Sequence, residues 1–155
     1  MTPFRRRREG LRLTLGGHER SVLRDLVEQL VAVVSGGDQD DPAVARLLPT
    51  GYADDAEAAE EFRRFTSDDL VERKLHNARL VLAALDPDAG EEPVLDDAAQ
   101  QSWLRTLTDL RLTIGARLGV TAEGFPPGDD PQVLVLQDVY DWLGYVQESL
   151  VRSLR

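Results

Sequence analysis

The stretch from Asp96 to Gly119 limits the fold of this chain more than any other. At 100° per residue, Ala99, Trp103, Leu107, Leu110, Ile114 and Leu118 fall in one apolar stripe. Asp96 supplies a capping carboxylate at its start and Gly119 a left-handed stop at its end. A stripe of that length needs apolar partners all along it, so other helices must pack on this one. The remaining sequence supplies them.

Phe4 to Leu15 reads as a short hairpin: Leu11, Leu13 and Leu15 alternate with Arg12 and Thr14, and Glu9-Gly10 offers a turn. After Gly16-Gly17, a helix is expected from His18 to Val34, with Val22, Leu26, Leu30 and Val33 as its apolar stripe, Leu23, Val27 and Val34 widening it, and Ser35-Gly36-Gly37 ending it. Asp41-Pro42 opens a short helix to Leu48. Tyr52 is expected to tuck against the core. A helix capped by Asp54 runs through Phe65, and Thr66-Ser67-Asp68-Asp69 restart it as a second helix ending near Leu85. Asp86 to Pro93 reads as a linker. A proline-rich loop, Thr121 to Pro131, leads to a last helix opened by Asp130-Pro131, with Val135, Val139, Trp142, Val146 and Leu150 inward. The fold expected is all-α: a bundle of about five helices in one domain over 1–155, with a β ribbon at 1–15 and a helical body at 18–155.

The chain has 155 residues and 42% hydrophobic content, enough for one core. Its net charge of -10 is uneven: residues 1–15 carry five arginines against Glu9, or +4, so the remainder carries -14. Such a body disfavours approach to bare nucleic acid or an anionic membrane. Cysteine is absent, which excludes disulfides, thiol nucleophiles and cysteine-bound metal. No apolar run approaches the roughly 18 residues of a membrane span, and no apolar region follows the N-terminal arginines as in a signal peptide. A cytoplasmic protein is expected, with no membrane association.

Four features invite a functional reading. The run Arg5, Arg6, Arg7, Arg8 suits phosphates or an acidic protein surface; its ordinary reading is solvation of a strand. Leu112, Leu134 and Tyr145 lie opposite the apolar stripes of their helices and are a candidate partner surface. Arg111 lies at a stripe edge and is a candidate for a structural ion pair with Asp138 or Asp141. The acidic pairs Asp40-Asp41, Asp54-Asp55 and Asp96-Asp97 each precede a helix, where capping explains them without chemistry. His18 and His76 lack a second histidine at metal-ligand spacing. A helix-turn-helix between Asp54 and Leu85 carries too many acids to approach DNA. No phosphate loop, EF-hand or nucleophile elbow is present, so nothing supports an enzyme, a cofactor or a metal site.

The segments PFRRRREGLRLTL, DDPAVARLLPTGYADDAEAAEEFRRFT, WLRTLTDLRLTIGARLGVT and YDWLGYVQESLVRSL together resemble an actinobacterial family of small proteins, a domain-of-unknown-function family also known as the AosR oxidative-stress regulators. The resemblance covers nearly the whole chain. It implies transcriptional regulation in company with an RNA polymerase sigma factor, in sulfur metabolism and redox balance. Redox sensing in that family is associated with a close cysteine pair, and this chain has none. The expectation is a non-enzymatic regulator acting through a protein partner, without a thiol switch; a homodimer through the last helix is a further possibility. The alternatives are a free-standing DNA-binding regulator using the arginine ribbon and a small enzyme or metal protein using acidic side chains.

Overall fold

The computed structural model describes residues 2–37, 40–48 and 56–154, and of 56–68 the backbone alone. The elements are β1 (Phe4–Arg7), β2 (Gly10–Leu13), α1 (Gly17–Gly36), α2 (Pro42–Leu47), α3 (Ala56–Leu85), a 3-10 turn (Pro87–Ala89), β3 (Val94–Leu95), α4 (Asp97–Leu118) and α5 (Pro131–Ser153). The mainly helical body and N-terminal β element are as the sequence leads one to expect.

Helix α4 is central, touching α1, α2, α3, α5 and β3. Its stripe is buried from Trp103 through Leu118, and Ala99 is half-buried. Both ends follow the sequence reading: the Asp96 carboxylate accepts from Ala99 N at 2.8 Å, and Gly119 adopts φ 72°. Asp41 and Asp130 likewise accept from amides in the first turns of α2 and α5. In each case a short acidic side chain satisfies a donor that the helix cannot.

Three elements differ from expectation. The helix expected to break at Thr66–Asp69 is continuous from Ala56 to Leu85. Ser, Thr and Asp cost a helix interior only a few tenths of a kcal/mol each, and no proline or glycine stands there to force a stop. The continuous helix also leaves no turn for a helix-turn-helix between 56 and 85. The hairpin loop is Arg8-Glu9, with Gly10 already in β2. The linker ends in β3, which pairs antiparallel with β2 and makes the ribbon a three-stranded sheet in the order β1-β2-β3. Gly10 is needed there: at φ 149°, a Cβ would stand 2.6 Å from Leu95 O. Tyr52 and the Asp54 cap lie outside the described residues.

The sheet sits against the bundle by one face. Phe4, Leu11 and Leu13 are buried, and Phe4 meets Trp103 edge-to-face at 5.7 Å. The ribbon is thereby fixed to the middle of α4's apolar stripe.

Candidate functional site

Helix α5 opens with Val133-Leu134-Val135-Leu136. Four successive apolar residues at 100° per residue cover every side of a helix, and one neighbour covers only one side. Val135, expected in the core, is 62% exposed, with Leu134 at 42% and Val133 at 38%. The cause is where α4 ends. Contacts Thr108–Gln147 and Gly115–Tyr140 set an antiparallel register. Position 135 is therefore level with Val120, just past the end of α4 at Leu118, and the first turns of α5 run beyond it.

Further along, Val139 and Trp142 are half-buried, facing His18, Glu19 and Val22 of α1 across an apolar groove of about 330 Å³ that Val135 and Asp138 also line. The Trp142 indole N–H donates to Glu19 Oε2 at 3.1 Å, holding the ring as a wall of the groove. Glu19 and Asp138 lie at its rim, and the exposed Asp129 and Asp130 precede α5. An apolar floor with carboxylates around it suits an apolar segment flanked by cations.

Leu112, Leu134 and Tyr145 are all exposed, at 38%, 42% and 48%. They do not share one cleft. Leu112 lines a cleft with Arg46, Val120, Tyr140 and Gln147, and Tyr145 lines another with Asp141, Gly144 and Glu148. Leu134 and Tyr145, eleven positions apart, share a face of α5.

The ion pair expected of Arg111 does not form. Its guanidinium lies over the Tyr140 ring, 4.5 Å from the centroid, and donates to Gln147 Oε1 at 3.3 Å. Gln147 in turn donates to Thr108 Oγ1 at 2.7 Å. Among the described residues no ion pair joins Arg111 to Asp138 or Asp141. Asp138 lies on the α1 side, at the rim of the groove, and Asp141 is solvent-exposed. Two glycines permit the arrangement that forms instead. A Cβ on Gly144 would come within 3.3 Å of Arg111 Nη2, and one on Gly115 within 3.3 Å of the Tyr140 ring. Glycines inside two helices were the sequence signal for this close crossing.

Sequence reading also missed Lys74 and Asp109, which join α3 to α4 at 2.8 Å. Asp109 is 5% exposed. Burial raises its pKa above the ordinary 3.8, opposed by the hydrogen bond and charge of Lys74. Among the described residues no group of three His, Cys, Asp or Glu is placed to hold a metal, and His18 and His76 are exposed.

The four arginines separate. Arg6 shares the inward face of β1 with Phe4, and its guanidinium donates to Ser153 O at 2.7 and 3.2 Å and to Gln100 Oε1 at 3.3 Å. It caps the C-terminus of α5. Arg5 and Arg7 alternate to the outer face, where Arg5 stands across from Arg12, and Arg8 occupies the turn. Arg12 is within 3.6 Å of Glu9.

A family model described as a domain of unknown function, DUF2017, matches residues 1–154. The chain belongs to the DUF2017 family. Among curated proteins it is similar to a putative oxidative stress regulator AosR from Mycobacterium leprae, 29% identical over 158 residues, which cover 90% of this chain and 71% of that protein. The oxidative stress regulator AosR from Mycobacterium tuberculosis H37Rv is 29% identical over 147 residues, covering 84% of this chain and 66% of the relative. The chain thus spans about two thirds of the length of these relatives. No solved structure matches. The relatives are named as regulators rather than enzymes, which supports a regulatory role for this DUF2017 chain.

Proposed function

We propose that this chain is a non-enzymatic transcriptional regulator that acts by docking a partner protein in the groove between α1 and α5. The observation that carries the reading is the exposed Val133-Leu134-Val135 run beside an apolar, acid-rimmed groove. The partner is an amphipathic helix whose apolar side enters the groove and whose lysines or arginines meet Glu19 and Asp138. A basic region of an RNA polymerase sigma factor has that chemistry and accords with the regulatory names of the relatives. Without cysteine, no thiol switch operates in the chain itself; the signal reaches it through its partner.

A second reading rests on Arg5, Arg7 and Arg8, which stand on the outer side of the ribbon. They touch DNA once the partner has brought it close, against the field of a -10 molecule. Fluorescence anisotropy of labelled promoter DNA, at two salt concentrations and with or without purified sigma factor, separates the readings. The expected result is no binding by the chain alone and a shift only in the complex. Salt-sensitive binding by the chain alone, lost on replacing Arg5, Arg7 and Arg8 with glutamine, contradicts the partner-first order.

A further inference from the structure

Lys74 is the only lysine among the 18 cationic residues of the chain, and it faces an open cleft of about 390 Å³ between α3 and α4. The cleft is lined by Leu70, Arg73, Lys74 and Asn77 of α3 and by Leu104, Arg105, Thr108 and Asp109 of α4. We propose that this cleft binds a small free oxyanion, a phosphate or a carboxylate, at the Lys74 ammonium.

The donor inventory leads there. The ammonium has three N–H groups, and one is used on Asp109 Oδ1 at 2.8 Å. Its side chain is 18% exposed, so it is mostly dehydrated yet reachable. Asn77 accepts from Ser102 Oγ through Oδ1, which leaves its NH₂ as a donor. Arg105 is exposed and has no partner among the described residues. Arg73 has only a loose contact with Asp69 at 3.8 Å, both side chains largely exposed. Thr108 is already engaged with Gln147 and the Leu104 carbonyl. The one acceptor of charge, Asp109, is held by Lys74.

Three cations against one carboxylate give the lining a formal charge of +2 in a chain of net -10. A pair serving only to join two helices needs one cation, not three. Donors in excess, a partly dehydrated ammonium and two guanidiniums at the mouth are the chemistry of oxyanion recognition. Leu70 and Leu104 add an apolar wall for the carbon body of an organic acid. The cleft shares no lining residue with the α1–α5 groove.

A single lysine makes the test direct. Protein labelled with ¹³C-lysine has one ε-methylene signal, to be followed by NMR during titration with inorganic phosphate, with succinate, and with sodium chloride at matched ionic strength. The expected result is a saturable shift with phosphate, succinate or both, absent with chloride. Arg105→Gln and Arg73→Gln, both at exposed positions, should each weaken it several-fold, and the pair at least tenfold. Saturation by phosphate alone assigns an inorganic or esterified phosphate, and by succinate alone an organic acid. A signal that moves equally with chloride, or a saturable shift indifferent to both arginine changes, overturns the proposal.

Discussion

Gly115 and Gly144 sit in helix interiors, where glycine costs roughly 0.5–1 kcal/mol relative to alanine. The return is the close approach of Tyr140 and Arg111, which a side chain at either position would crowd. Gly144→Val is expected to destabilise the protein by about 1–3 kcal/mol in urea unfolding, because the guanidinium must leave its seat over Tyr140. Gly36→Ala, at the open end of α1, should be neutral or stabilising by up to about 1 kcal/mol. At the Lys74–Asp109 pair, Asp109→Ala leaves a half-buried ammonium without its partner and should cost about 1–3 kcal/mol. Lys74→Met with Asp109→Leu should recover most of that loss, since the desolvation cost goes with the charges. The pair has a pH signature too. A carboxyl whose pKa is raised in the folded state contributes its stability in full below the unfolded value and loses it as pH rises through the folded one. The stability of the wild type relative to Asp109→Asn should therefore grow as pH is lowered from neutral towards 3.8, and level off below. A difference that shrinks on acidification contradicts the burial argument.

Elements were legible in the sequence where their signals were local. The stripe of α4 and the caps Asp41, Asp96 and Asp130 each depend on residues within a turn or two of one another, and they stand where the sequence places them. β3 was not legible: two residues carry no periodicity, and only pairing with a strand more than 80 positions earlier defines it. The break expected at Thr66–Asp69 rested on capping residues alone, which a helix tolerates when nothing forbids it. The exposure of Val135 was hidden because a helical wheel shows which face is apolar, not where the neighbouring helix ends. The Arg111 contact with Tyr140 was hidden for a related reason, since the facing register of α4 and α5 decides it. The N-terminal sheet depends on two anchors. Phe4→Ala removes the ring against Trp103 and should cost about 3 kcal/mol. Arg6→Ala removes both donors to the Ser153 carbonyl at the end of α5 and should cost about 1 kcal/mol, with faster amide hydrogen exchange confined to the final turn of α5 and the edge of β1.

At the scale of the whole molecule, an acidic helical body exposes the strongly apolar start of α5, while Arg5 and Arg7 stand on the outer face of a separate sheet and Arg8 in its turn. No helix among the described residues is long and apolar enough to cross a membrane. Val135 is 62% exposed, so a charge there should leave the fold within about 0.5 kcal/mol of the wild type while disabling an apolar contact. The most direct measurement is isothermal titration calorimetry of the wild type and Val135→Asp against each purified sigma factor of the same organism, with thermal unfolding of both proteins alongside. One sigma factor is expected to bind the wild type at micromolar Kd or tighter, and Val135→Asp to weaken that binding at least tenfold with unchanged Tm. Binding that survives Val135→Asp, or no binding by any sigma factor, contradicts the docking proposal.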